Sequence, residues 1–332
     1  MILAGDIGGT HARLAVFDAK QDRLELVSSD VFPSQQFSGL EEIVVQFVKA
    51  SGLQPTQACF GIAGPVINGR VEASNLPWIV ESIRLAQVLN ISQVALINDL
   101  EATGWGIGAL SPGDVVPLNN VVAKEPGNQA VIAAGTGLGE GGLYWDGTRH
   151  DVFASEGGHC DFAPLDDIQV ELFEYLSKRY DHVSNERVLS GPGLVNIFEF
   201  LRDTARGTPP EWLIAEIAEH DAAAAISRSG LSGKCQMCEQ ALDIFVAIFG
   251  AEAGNLALKL KATGGVFLAG GIAPKIVSRL TTPIFMQAFL SKGRLRRLME
   301  TIPVNVIMND QLALLGAARY ALADVPAGGR HG

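Results

Sequence analysis

Two glycine-rich turns of one local grammar, about 130 residues apart, constrain this chain more than any other feature. Gly5-Asp6-Ile7-Gly8-Gly9-Thr10 follows the apolar run Ile2-Leu3-Ala4 and precedes Leu14-Ala15-Val16-Phe17. Gly135-Thr136-Gly137-Leu138-Gly139 follows Ala130-Val131-Ile132-Ala133-Ala134 and precedes Leu143-Tyr144-Trp145. Each reads as a strand, a turn and a returning strand. Glycines leave backbone N–H groups unshielded, which is what an approaching phosphate requires. A single such turn is an ordinary hairpin. Two, each with a threonine, and a third Gly270-Gly271 after the apolar strand Gly265–Ala269, predict a duplicated domain that grips one polyphosphate from both sides.

Composition narrows the classes. A chain of 332 residues exceeds the size at which one core stops growing, so two domains are expected. The net charge is −11, from 25 basic and 36 acidic residues, and no basic run exceeds Arg296-Arg297. Nucleic acid and anionic membrane are therefore poor partners. A nucleotide is still accommodated if backbone amides and Mg²⁺ supply the positive field locally. The four cysteines, Cys59, Cys160, Cys235 and Cys238, form no secreted disulfide pattern. The first residues lack a basic segment and carry an acid at Asp6, which speaks against a signal peptide and for a cytoplasmic protein. The apolar stretch 240–261 carries Asp243, Glu252, Lys259 and Lys261, which argues against a membrane span.

Periodicity sketches the order of elements. Residues 2–34 read as a three-stranded meander, and Gly39–Ser51 as an amphipathic helix. Strands at Ala58–Ala63, Arg70–Ser74 and Val94–Ile97 flank a helix at Glu81–Asn90, and a helix begins near Glu101. The loop 111–128 is expected to lead to a second domain. That domain restarts the meander at Ala130 and continues with helices at Asp166–Tyr180, Gly191–Thr204, Pro210–His220 and Cys235–Ala262. A strand at Val304–Met308 and a helix at Leu312–Leu322 follow. Strand–helix alternation after a meander predicts α/β domains with mixed sheets. Asp99 falls just past the strand Val94–Ile97, at the strand end where ligands of open α/β sheets bind.

Three other motifs are weaker. Gly233-Lys234 lacks the upstream glycine and following Ser/Thr of a Walker A loop. Gly137–Gly142 satisfies G-x-G-x-x-G but leads into a strand, so the Rossmann context fails. Cys235-x-x-Cys238 lacks a second ligand pair for zinc and reads as packed thiols at a helix start. Glu156-x-x-His159 has metal-ligand spacing, but Gly157-Gly158 disfavours the helix that spacing needs. A loop presenting a carboxylate and an imidazole suits hydroxyl recognition.

Taken in order, Gly5–Thr10, Ile97-Asn98-Asp99, Gly135–Gly139, Ser155–Phe162, Val183–Gly193 and Gly270-Gly271 strongly resemble the bacterial glucokinase family, within the sugar kinase/Hsp70/actin superfamily. The resemblance runs from Ile2 to about Leu322. It implies a two-domain actin-like ATPase (ribonuclease H-like) α/β fold, a duplicated mixed sheet flanked by helices with a cleft between the domains. The expected domains are 1–109 plus 309–332, and 110–308. It implies ATP-dependent phosphorylation of glucose at the 6-hydroxyl, the entry step of glycolysis, with Asp99 as general base. Asn75, Asn98, Asp99, Glu156, His159 and Glu186 would bind the sugar. Gly5, Asp6, Ile7, Gly8, Gly9, Thr10, Gly135, Thr136 and Gly137 would hold the phosphates of ATP. Gly270 and Gly271 would lie against adenosine, and Asp6 would position Mg²⁺ through water. A homodimer is implied as well.

The chain departs from the family pattern at His11, where Asn is usual. Glu140 also departs, an acid unfavourable beside ATP unless strand alternation turns it away. A kinase for another hexose or N-acetylhexosamine is the alternative enzyme, although the zinc-binding cysteine cluster usual in the related repressor-kinase group is missing. A sugar-sensing regulator would need room before Ile2 for a DNA-binding motif. An actin-type filament would need neither Asp99 nor a sugar clamp.

Overall fold

The first turn joins strands β1 (Ile2–Ile7) and β2 (His11–Lys20), which pair antiparallel from Ile2↔Phe17 to Ile7↔Ala12. The computed structural model describes residues 1–20, 23–73 and 76–323, so the expected sugar ligand Asn75 lies outside the described residues. Strand β3 (Arg23–Pro33) completes the meander, helix α1 (Leu40–Ser51) follows, and β4 (Gln57–Ile62) returns parallel to β1. A small antiparallel sheet of β5 (Val66–Ile67), β6 (Arg70–Glu72) and β7 (Ile79–Glu81) leads into α2 (Ser82–Leu89). Then β8 (Val94–Asn98) lies parallel to β4 and runs directly into α3 (Asp99–Ile107). The resulting five-stranded sheet has the order β3-β2-β1-β4-β8.

A second sheet repeats this pattern. Strand β9 (Val115–Pro117) lies inside the segment 111–128 expected as a loop; three residues are too short to show a period, and the strand exists because it pairs with a distant partner. Next come β10 (Gln129–Ala134), β11 (Leu138–Trp145) and β12 (His150–Ser155), the second meander. Helices α4 (Asp167–Leu176), α5 (Gly191–Asp203), α6 (Glu211–Glu219), α7 (Ala222–Leu231) and α8 (Gln236–Leu260) follow. Strand β13 (Gly265–Ala269) is followed by a 3₁₀ turn and the short helix α9 (Val277–Leu280), then α10 (Pro283–Leu290), α11 (Arg296–Met299) and β14 (Val304–Ile307). The order β12-β11-β10-β13-β14-β9 repeats the first sheet's connectivity, two antiparallel hairpin partners and two parallel additions, with β9 added at the edge. Helix α12 (Leu312–Leu322) ends the described chain.

The chain divides into two compact units, Met1–Pro112 with Asn309–Gly332, and Gly113–Met308. In the first, one face of the sheet packs Leu3, Leu14, Val16 and Phe60 against Leu40, Ile43, Val44 and Phe47 of α1. The other face packs Ile2, Ala4, Phe17 and Cys59 against Leu314, Ala317 and Ala318 of α12. Helices α3 and α12 touch backbone to backbone. A Cβ at Gly316 would stand 1.7 Å from the Ala102 carbonyl oxygen, and one at Gly106 would stand 2.4 Å from that of Leu312.

In the second unit, α8 is the central helix. It is long and apolar enough to cross a membrane, but 78% of its apolar stretch is buried within the protein, as in a core helix. Phe249 on α8 meets Phe285 on α10, Phe245 and Phe289 extend the row within each helix, and all four are fully buried. Burial of side chains this size contributes roughly 2–3 kcal/mol each. Cys235 and Cys238 pack inside the start of α8, and among the described residues no group of three His, Cys, Asp or Glu stands ready for a metal.

Candidate active site

In the first unit the parallel strands β1, β4 and β8 bring their carboxyl ends together, with Asp6 beside Gly61 and Gly61 beside Ile97 in register. The turn after β1 is closed by Gly8 N–H donating to the His11 carbonyl at 3.0 Å. It is braced from β3 and beyond by the fully buried Ser34, whose N–H donates to the Thr10 carbonyl at 3.0 Å and whose hydroxyl donates to the Gly8 carbonyl at 2.8 Å. Ile7 points into the core, whereas Thr10 and His11 are exposed. The departure at His11 thus sits on the surface of the turn.

Asp99 is the first residue of α3. Its Oδ1 accepts the Leu100 N–H at 2.9 Å. Asn98 is the N-cap: its Oδ1 accepts the same N–H at 2.9 Å, and its Nδ2 donates to the Gly64 carbonyl at 3.2 Å. The Asn98 side chain therefore ties the end of β8 to the loop after β4 and holds Asp99 at the helix start. Glycine at position 61 keeps the space between these strand ends open; a Cβ there would meet that of Ala102 at 2.8 Å.

The Asp6 carboxyl is pushed up to about 6, chiefly by burial; the Arg13 guanidinium pulls it down and the charge of Asp99 pushes it up further. Arg13 stands 3.8 Å from Asp6 and donates to the Asp310 carbonyl at 3.2 Å, ahead of α12. Two neighbouring carboxyl groups that disfavour each other's charge are a fitting environment for a cation. A pair of carboxylates with no third ligand grouped beside them among the described residues suits Mg²⁺ carried mainly by phosphates and water, and suits a closed protein cage poorly.

In the second unit the turn after β10 is closed by Gly135 N–H donating to the Gly137 carbonyl at 2.9 Å. The first residue of α5 leans on it, Gly191 N–H donating to the Gly135 carbonyl at 2.8 Å. Ser190 caps that helix. Thr136 is exposed at the tip. Gly270 and Gly271 follow β13 beside this turn. Gly270 has φ +82°, a left-handed conformation that favours glycine, and a Cβ there would meet the Ala134 carbonyl oxygen at 2.3 Å. The Ile272 N–H donates to that same carbonyl at 3.1 Å.

Glu156 and His159 are exposed on a single 3₁₀ turn, Gly157–His159, and not on a helix. This turn is laced to the segment carrying Glu186: Asn185 N–H donates to the Cys160 carbonyl at 2.9 Å, and Phe162 N–H to that of Val183 at 3.0 Å. His159 and Glu186 line one polar cavity of about 410 Å³ with Tyr180, His182, Ser184 and Arg187. Glu186 also reaches the glycine turn, where its Oε2 accepts the Leu138 N–H at 2.9 Å. A Cβ on Gly137 would stand 2.5 Å from that oxygen. The structure thus gathers Gly135, Thr136, Gly137, Glu156, His159, Glu186, Gly270 and Gly271 on one end of the second sheet.

Glu140 is turned away from the glycine turn by strand alternation, as its position on β11 allows. It is buried against Glu252 of α8. Sequence patterning flags Glu140 but misses Ser34, Arg13 and the pairing of Glu140 with Glu252, because each acts through a partner distant in sequence. The one available signal is an acidic residue in an otherwise apolar strand or helix, as at Glu140 and Glu252.

A family model described as Glucokinase matches residues 3–324. The glucokinase of a Nostoc species is 41% identical, over 97% of this chain and 98% of its own. That of Xanthomonas oryzae pv. oryzae is 38% identical, over 97% and 95%. Among solved structures, a glucokinase from an Antarctic psychrotroph superposes with a TM-score of 0.84 at 33% identity, covering 97% of this chain and 98% of that one. A ROK family glucokinase from Streptomyces griseus, solved with glucose and AMPPNP, shares the fold at a TM-score of 0.62 and 20% identity, covering 97% and 99%. With its paired mixed sheets in the actin-like ATPase pattern, this chain belongs to the glucokinase family.

Proposed function

We propose that the protein transfers the γ-phosphoryl group of ATP to the 6-hydroxyl of D-glucose, yielding glucose 6-phosphate and ADP, with Asp99 as general base. The observation that carries this reading is the placement of Asp99. Its carboxylate stands at the carboxyl end of β8, anchored at the first residue of α3 and electrostatically coupled to Asp6 of the first glycine turn.

Phosphoryl transfer asks little covalent chemistry of a protein; positioning and charge stabilisation dominate. Asp99 accepts a hydrogen bond from the 6-hydroxyl, aims its oxygen at the γ-phosphorus and takes its proton as the new P–O bond forms. The amides of Gly9, Thr10, Thr136 and Gly137 would bind phosphate oxygens, the Gly8 amide being taken by the His11 carbonyl that closes its turn, and the Gly270-Gly271 backbone would lie against adenosine. Magnesium bound to the phosphates offsets their charge. Asp6 would hold it through water, its carboxyl pushed up to about 6 by burial in the absence of a cation. Glu156, His159 and Glu186 bind the remaining hydroxyls, Asn98 fixes the approach to Asp99, and Asn75 is a further sugar ligand. A site built from such groups rejects a sugar lacking a hydroxyl, because its own polar atoms are then left unpaired. The family relationship also supports a cytoplasmic homodimer, which sedimentation of the purified protein checks.

Asp99→Asn tests the assignment. The variant should bind glucose with near-native affinity in calorimetry yet lose at least ~100-fold in kcat in a coupled ATP assay with glucose, the scale expected for loss of a general base. Near-normal turnover would reject Asp99 as the base. Turnover by the native protein of another hexose in preference to glucose would reject the substrate.

A further inference from the structure

Beneath the turn that carries Glu156 and His159 lies a buried group that the reaction does not use. Glu140, in the middle of β11, is 1% exposed, and Glu252 on the facing helix α8 is 4% exposed. The Glu140 Oε1 has no hydrogen-bond donor against it. Glu252 is well served: Asn255 Nδ2 donates to its Oε2 at 2.8 Å and Lys259 Nζ to its Oε1 at 3.4 Å. Lys292 locks this arrangement, donating to Asn255 Oδ1 at 2.6 Å and to the Ala251 carbonyl at 2.9 Å. On its other side Glu140 meets the recognition turn directly. A Cβ on Gly157 would stand 2.3 Å from Glu140 Oε2, and one on Gly158 would stand 2.0 Å from the Leu138 carbonyl oxygen. The Ser155 hydroxyl pins the start of the turn, donating to the Glu140 carbonyl at 2.8 Å and accepting the Gly157 N–H at 3.2 Å.

We propose that Glu140 is a positioning residue for hexose recognition: its carboxyl, wedged between Glu252 and the Gly157 backbone, sets the height of the turn that presents Glu156 and His159. This rests on the assignment of that turn to sugar binding. Two carboxyl groups can hydrogen-bond each other only when one carries a proton. Glu252 already accepts from the Asn255 amide and the Lys259 ammonium, so the shared proton falls to Glu140. Burial first, and then the charge of Glu252, push the Glu140 carboxyl up to about 7, with Lys259 pulling the other way. Above that pH two buried carboxylates face each other directly under Gly157, and the floor of the turn is repelled. Affinity for hexose should therefore weaken as pH rises through neutrality. The other titratable or charged groups around Glu140 are Lys259 and Glu252 from α8, Lys292 beyond Asn255, and Glu156, His159 and Cys160 from the turn itself. The test must isolate Glu140 from these.

Glu140→Gln does so, since it keeps shape and neutrality but cannot ionise. The KM for glucose of the native protein, measured from pH 6 to 8.5, should rise several-fold more than that of E140Q, while the KM for ATP changes alike in both. At pH 6 the two should bind glucose equally. A second readout is independent of turnover: the amide resonances of Gly157 and Gly158 should show a step with an apparent pKa near 7 in the native protein that E140Q lacks, leaving in E140Q only the steps of the turn's own groups. Identical glucose KM profiles in the two proteins would overturn the proposal, and so would amide resonances that titrate alike. If the native protein phosphorylated no hexose at any pH, the functional reading would fail on its own. The amide titration would then still decide whether Glu140 supports the turn.

Discussion

The Glu186 carboxylate lines the cavity that holds His159 and accepts an N–H of the second glycine turn, so one side chain joins the proposed sugar and phosphate sites. Glu156 stands on the exposed turn, and Gly157 behind it rests on Glu140. Their substitutions should therefore differ. Glu156→Gln should raise the KM for glucose about tenfold and leave that for ATP within twofold, as expected when one charge-assisted hydrogen bond to the sugar is weakened. Glu186→Ala should raise both, because the Leu138 amide loses its anchor and the phosphate turn loosens with it. Steady-state kinetics with each substrate varied in turn checks the contrast; a change confined to glucose in both variants would contradict the double role. The glycine turns, Asp99 and the Glu156–His159 pair are legible in the chain, since they sit in loops after apolar runs, whereas Glu186 is reached only through the family resemblance. The double role of Glu186 is not, because its partner Leu138 lies 48 residues away and no local pattern joins them.

At the level of elements, strands and helices with a clear period are readable: the 3.6-residue stripe of α1 and the apolar runs of β1, β4, β10 and β13 need no long-range partner to be recognised. Elements without a period are not. The strand β9 has three residues and owes its conformation to β14, and α7 (Ala222–Leu231) is so rich in alanine that its stripe is faint. Nor does a linear pattern announce how closely two helices approach, and here that distance bears on the proposed base. Asp99 opens α3, and α3 rests on α12 through Gly106 and Gly316, where an added methyl group would run into backbone. Backbone cannot yield as a flexible side chain does, so Gly316→Ala should push α3 outward. We expect about 1–3 kcal/mol of destabilisation, the usual range for overpacking. We also expect a drop in kcat larger than any change in the KM for ATP, since the displaced element carries Asp99. Urea denaturation with parallel kinetics tests this; unchanged kcat in a destabilised variant would mean that α12 supports the fold but does not place the base.

For the whole molecule, both compact units carry a buried carboxyl held well above its ordinary range, Asp6 in the first and Glu140 in the second. The sign of the effect on stability follows from linkage. Between its unfolded and folded values such a group binds more protons in the native state, so stability falls as pH rises and the contribution is gone once pH passes the folded value. The windows run from 3.8 to about 6 for Asp6 and from 4.5 to about 7 for Glu140. Each shift corresponds to roughly 3 kcal/mol at full ionisation. Asp146 is held down to about 2 by hydrogen bonds from Arg149 and Thr148, and it acts only in more acidic solution, outside both windows. Without ligands, the unfolding midpoint should therefore fall by several degrees between pH 5 and pH 8, at the few degrees per kcal/mol typical of domains this size. Asp6→Asn should flatten the part of that slope below pH 6, and Glu140→Gln the part reaching 7. Calorimetric scans of the three proteins at pH 5, 6, 7 and 8 separate the two contributions, and parallel slopes in all three would show that neither carboxyl is protonated in the native state. Adding Mg²⁺ and ATP should raise the native midpoint most at the alkaline end, where an ionised Asp6 is already formed and the cation meets no proton to displace.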